Sequence, residues 1–101
     1  MKIIKIYLDF PKSESSSLVG KELGLETYLK QVKNNIDYSV DKIILVFPNH
    51  KSIVSSSFIE GLFKNIEEEI GIVKTRELFE IQSKYQNIIK KFELEIFTDE
   101  I

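Results

Sequence analysis

The chain has 101 residues, 43% of them hydrophobic and 30% charged, which suits one domain with a modest core and excludes a disordered chain. A formal charge of -2 provides no positive field to draw nucleic acid or an anionic membrane, and Lys90 and Lys91 form only a local basic pair. Cysteine is absent, which excludes disulfides, thiolate metal sites and cysteine catalysis and fits a reducing, cytoplasmic setting.

The opening "MKIIKIYLDF" reads as a strand through Ile3, Ile4, Ile6, Tyr7 and Leu8, bounded by Pro11. Lys5 and Asp9 interrupt it, so it has no secretory apolar region, and no segment approaches the roughly 18 apolar residues of a membrane span. Residues 9–17 form a polar segment expected to be a flexible loop. From Ser17 to Asn34, the spacing of Leu18, Leu25, Leu29 and Val32 predicts a helix, weakened at Gly20 and Gly24 and ended by Asn34 and Asn35.

Ile43 to Phe47 is a continuous apolar run closed by Pro48, the pattern of a central strand covered by helices on both faces. The segment "PNHKSIV" predicts a loop that turns extended at Ile53 and Val54. Phe58, Ile59, Leu62, Phe63, Ile66 and Ile70 then make one face of a helix, with Glu60, Lys64, Glu67 and Glu68 opposite and Gly71 at its C-terminal end. "ELFEIQS" alternates with period two, "SKYQNIIKKF" is helical through Tyr85, Ile88, Ile89 and Phe92, and "ELEIFT" alternates again through Leu94 and Ile96. The expected order is β-α-β-α-β-α-β: a single α/β domain with about four strands, parallel or mixed, packed by about three helices. The first strand is placed at an edge, with an antiparallel direction left open.

The chemistry-bearing residues gather around Ser55, Ser56 and Ser57, which admit three readings: a nucleophile, a phosphorylation site and a helix cap. A Ser-His-acid triad needs the single histidine, His50, beside Ser55 or Ser56, but no Gly-x-Ser-x-Gly elbow is present. His50 therefore reads as a loop residue, and a serine hydrolase is set aside. Glu67, Glu68 and Glu69 point in diverging helical directions and make no metal cage, and the glycine spacings match neither phosphate-binding motif. No cofactor or metal is expected. Ser57-Phe58-Ile59-Glu60 fits a capping box, and "SKYQ" repeats the device before the last helix.

A buried strand, a short loop, a serine-rich junction and an amphipathic helix together resemble STAS domains, the fold of anti-sigma-factor antagonists. "ILVF" followed by "VSSSFIEGLF", with "LVGKELGLETYLKQV" upstream, is more closely similar to the STAS-like family of unknown function, over about residues 18–97. The resemblance implies a single STAS-like domain in which Ser56 falls on the antagonists' phospho-acceptor and Ser55 on the Asp before it. Val46, Ser55 and Phe58 stand where the antagonist pattern has Asp, Asp and Gly, and the loop 48–54 is one residue longer.

The expected function is a non-enzymatic, cytoplasmic protein–protein interaction module with a regulatory or GHKL-type ATPase/kinase partner. The contact surface would be the edge 48–64, with Asn49, His50, Lys51, Ser55, Ser56, Ser57, Phe58 and Glu60 as its residues and Phe58 exposed. The alternative is a small self-associating structural or inhibitory protein of mobile-element type, forming homodimers without a phospho-switch. Neither reading involves nucleic acid or a membrane.

Overall fold

A computed structural model describes residues 1–97. Strand β1 (Ile3–Tyr7) is followed by a short strand β2 (Ser17–Leu18) and helix α1 (Lys21–Thr27). Helix α1 widens into a π-helical turn over Tyr28–Val32 and closes with a 3₁₀ turn over Lys33–Asn35. Strands β3 (Lys42–Val46) and β4 (Ile53–Val54), helix α2 (Ser56–Leu78), strand β5 (Phe79–Gln82) and helix α3 (Gln86–Phe92) complete the described fold.

The main sheet has three strands in the order β1-β3-β5, all parallel; β2 and β4 form a separate two-stranded parallel ladder. The α/β class, the parallel pairing and the three helices are as expected, but the order β-α-β-α-β-α-β is not. The first strand is a parallel edge. The segment expected as a last strand, "ELEIFT", continues α3 as a helical turn over Glu93–Phe97, with Thr98 outside the described residues. Ile88, Phe92 and Ile96 recur every four residues and all are buried, whereas Leu94 is 69% exposed. The helical stripe thus outweighs the short alternation. The Arg76 side chain then donates to the Ile96 carbonyl at 2.7 Å, satisfying one of the last carbonyls.

Each crossover in β1-β3-β5 steps in the same direction, and right-handed crossovers then put α1 and α2 on one face. Ile4, Ile6, Ile43, Leu45, Phe79 and Ile81 point to that face and into the core, which the helices fill with Phe58, Leu62, Phe63 and Phe92. Phe10, Phe58, Phe47, Phe92, Phe63 and Phe79 form a chain of edge-on and tilted rings with centroids 5.4 to 6.5 Å apart. Such pairs contribute about 0.5–1.5 kcal/mol each beyond area burial. β3 is therefore not covered by helices on both faces: Ile44 is buried at 8% exposure yet lies outside the core cluster.

Helix α1 begins four residues later than its periodicity suggests, because Ser17 and Leu18 pair with Ile53 and Val54. Its buried face is also rotated: Gly24, Thr27, Tyr28 and Val32 pack inward, while Leu25 and Leu29 are 38% and 44% exposed. The cause is a backbone contact between helices. A Cβ on Gly24 would lie 2.1 Å from the Phe58 carbonyl oxygen, and one on Gly61 would lie 2.1 Å from that of Lys21. At Gly71 the backbone of α2 leaves helical geometry with φ 80° and ψ 162°, a region glycine adopts readily, before a second helical segment runs to Leu78.

Overpacking a close contact typically costs about 1–3 kcal/mol, and here the obstacle is rigid main chain. Gly24→Ala and Gly61→Ala are each expected to lower the unfolding free energy by at least that much, with a matching fall in the urea midpoint, despite alanine's better helix propensity. A chemical-denaturation series with an exposed helix control such as Lys64→Ala checks this.

Candidate interaction site

The serine junction is built from one short ladder, β2 with β4, and two helix starts. The Ser55 backbone N–H donates to the Leu18 carbonyl at 2.9 Å, where β2 ends and β4 gives way to α2. Ser55 is the N-cap of α2, with φ -92° and ψ 159°. Its Oγ accepts from the Phe58 N–H at 3.0 Å and from the Gly20 N–H at 3.2 Å. With both lone pairs engaged, Ser55 donates its own proton to Ser57 Oγ at 3.0 Å. One hydroxyl thus joins the starts of α1 and α2.

The expected capping box at Ser57 is corrected by this geometry. Ser57 lies inside the first turn, and Glu60 reaches outward to Lys21 at 3.2 Å rather than back to a backbone N–H. The pairing of β4 with β2 places the cap at Ser55, two residues earlier than the motif does. The second box fails similarly: α3 begins at Gln86, and Ser83 Oγ accepts from the Tyr85 N–H at 3.0 Å in a local turn.

The loop residues divide sharply. Asn49 is exposed, and its carbonyl accepts from the Tyr85 hydroxyl at 2.9 Å. His50 is half-buried, and its Nε2 contacts the Phe10 carbonyl at 2.9 Å, which requires the proton on that nitrogen. Lys51, expected on the contact surface, is 1% exposed, with its ammonium donating to the Ser15 carbonyl. Ser52 and Ile53 donate backbone N–H groups to the Ser16 carbonyl, and Gln31 bonds both main-chain groups of Asp9. Residues 9–17, expected to be a flexible loop, are thus hydrogen-bonded at their two ends, through Asp9 and Phe10 and through Ser15 and Ser16. Phe58, expected to be exposed, is fully buried between Phe10 and Phe47 because it is the first core position of α2.

Ser56 is the exposed serine of the three. Its hydroxyl donates to Glu95 Oε1 at 2.6 Å, and Lys91 approaches the same oxygen at 3.7 Å. Glu60, Glu67 and Glu95 line the shallow cleft around it, with Ile59 and Ile96 at its base. Burial raises the Glu67 carboxyl above its ordinary value, and the charge of Arg76 partly opposes the shift. Sequence reasoning missed Glu95 because it fell in a segment read as a strand, and Glu67 because it read as a solvated face.

The structure does not assemble Ser55, Ser56 and His50 into a triad: the His50 ring is turned to Phe10, and the Ser55 hydroxyl is committed to the helix starts. Among the described residues no cluster of acidic, histidine or cysteine side chains is arranged to hold a metal ion, and no helix is long and apolar enough to cross a membrane. No family model matches the chain, and no curated protein or solved structure matches it either.

Losing a cap costs about 1 kcal/mol and orphaning a partly buried donor adds about 1–3 kcal/mol. Ser55→Ala is therefore expected to lower thermal stability well beyond Ser57→Ala, as differential scanning calorimetry of both variants will show. Glu67 supplies a pH-dependent counterpart. Its raised pKa means that the folded chain holds this proton more tightly than the unfolded chain, so the charged form costs stability and protonation relieves that cost. Glu67→Gln is expected to raise the melting temperature at pH 7, with the gain shrinking as pH falls through the carboxylate range.

Proposed function

We propose that this chain is a non-enzymatic protein–protein interaction module of the STAS-like kind that its strand–loop–helix junction resembles. Its partner is a regulatory protein or an ATPase/kinase of the GHKL type, and Ser56 is the residue through which that contact is switched. The observation that carries this reading is the environment of Ser56: an exposed hydroxyl in the first turn of α2, hydrogen-bonded to a single carboxylate, Glu95. Its neighbours Ser55 and Ser57 are half-buried and bonded to each other.

A phosphate on Ser56 brings about −1.5 to −2 charge to the first turn of a helix, where free N–H groups and the positive end of the dipole tolerate it. The same charge lies against Glu95, with Glu60 and Glu67 beside it. Repulsion then breaks the Ser56–Glu95 bond and loosens the turn Glu93–Phe97 from α2. Modification would alter the partner-facing surface twice, by charge and by release of this turn. The exposed part of 48–64 available to a partner consists of Asn49, Ile53, Ser56, Glu60 and Lys64. His50, Lys51 and Phe58 support this edge from beneath.

The test is affinity capture from the native cell followed by quantitative mass spectrometry, using wild type, Ser56→Ala, Ser56→Asp and the surface variant Ile53→Asp. Wild type and Ser56→Ala are expected to recover the same partner, with recovery falling at least tenfold for both aspartate variants. Ser56→Asp should also speed amide exchange across residues 93–97. Equal recovery by wild type and Ser56→Asp, or no specific partner at all, would sink the switching mechanism.

A further inference from the structure

The main sheet leaves one face bare, and that face is patterned. Side chains alternate along each strand, so the register places Lys5, Ile44 and Glu80 in one row across β1, β3 and β5, and Tyr7, Val46 and Gln82 in the next. Ile3 extends the face beside Lys42. Ile3 and Tyr7 are 49% and 69% exposed, and Ile44, itself only 8% exposed, lies outside the core cluster, which is on the helix side of the sheet. All-parallel sheets are found almost only with both faces covered, so a second layer is expected here.

The charge pattern says which layer. Lys5 and Glu80 are both exposed, stand on opposite sides of Ile44, and have no ion-pair partner among the described residues. The row is therefore positive on one edge strand and negative on the other. A two-fold axis running along β3, between two sheets stacked face to face, turns this row onto itself with the signs exchanged. Lys5 of each copy then meets Glu80 of the other, Tyr7 meets Gln82, and Ile44 and Val46 meet their own counterparts on the axis, as does Lys42, whose ammonium is already engaged by the Glu77 carbonyl at 3.1 Å. A two-fold axis across the strands through this row would instead set Lys5 on Lys5 and Glu80 on Glu80.

We infer that the bare face of the β1-β3-β5 sheet is a self-association surface, which pairs two copies of this chain through reciprocal Lys5–Glu80 contacts around an Ile44–Val46 centre. Sheets stack about 10 Å apart, a gap that a lysine and a glutamate span together. The interface is isologous, as expected for a two-fold dimer. Three strands of about five residues, spaced about 4.8 Å apart and rising about 3.3 Å per residue, give a footprint of roughly 250 Å². A standard interface buries about 800 Å² per partner, so the dimer is expected to be weak and is to be sought at about 10 µM to 1 mM rather than at nanomolar concentration. The inference is independent of the junction at Ser56, which lies at the start of α2 and not on this face.

Sedimentation equilibrium of the full chain tests it. Wild type should associate over that concentration range, and the single variants Lys5→Glu and Glu80→Lys should each remain monomeric. An equimolar mixture of the two should associate again, because the carboxylate introduced on β1 of one variant then faces the ammonium introduced on β5 of the other. Raising the salt from about 50 mM to 500 mM, which shortens the screening length, should weaken wild-type association and relieve the repulsion within each single variant. The mixing and salt arms separate an interface effect from misfolding, since neither repairs a damaged fold. A wild type that stays monomeric through the whole range overturns the inference, as does association that both single variants retain unchanged.

Discussion

Helices α1 and α2 meet main chain to main chain at Gly24 and Gly61, and the rest of the molecule is arranged around that contact. Each glycine leaves no room for a Cβ against the carbonyl opposite, so the two axes are brought unusually close. This proximity fixes the rotation of α1, turning Tyr28 and Val32 inward and leaving Leu25 and Leu29 toward solvent. It also brings the Gly20 N–H within reach of Ser55, so that the hydroxyl capping α2 also serves the start of α1. Packing and capping are thus coupled: the close contact makes the shared cap geometrically available, and the shared cap locks the angle at which the helices meet.

The second organising constraint is the handedness of the crossovers. Strand order β1-β3-β5 with right-handed connections leaves the helices no choice of side. α3 and the turn after it join the same layer, since Phe92 packs on Phe47 and Phe63 and the Arg76 side chain holds the Ile96 carbonyl. A fourth strand after α3 would have continued the sheet; helical continuation instead adds to the existing layer. The result is a two-layer domain whose aromatic core lies entirely on one side of the sheet.

Much of this was readable from residue order. A β-rich opening bounded by Pro11 marked β1, period two marked β5, the unbroken Ile43–Phe47 run marked β3, and the i, i+3, i+4 spacing from Phe58 to Ile70 marked most of α2. Failures occurred where local pattern was weaker than a distant contact. Ser17 and Leu18 belong to a strand only because Ile53 and Val54 lie beside them. Lys51 is buried because the carbonyl of Ser15 receives its ammonium, a pairing that no spacing rule anticipates. The capping motif pointed to Ser57 because Glu60 stands three residues on, yet the β4 pairing moved the helix start to make Ser55 the cap. Of the candidate site, the segment was legible but the division of labour within it was not.

The parallel pairing of β1 with β3 also shapes how the chain reaches this state. Ile4 can pair with Ile43 only after the intervening segment has closed on itself, and β3 must likewise wait for α2 before it meets β5. Ordering such a loop costs entropy before any ladder bond is gained, which favours α2 as an early organising element and slows the assembly of the sheet. Until β1 docks, one side of β3 presents unpaired amides from Lys42 to Val46 alongside apolar side chains. The most hydrophobic strand in the chain therefore passes through an unprotected stage every time the domain is synthesised, and that interval, more than the finished fold, sets its exposure to misassembly.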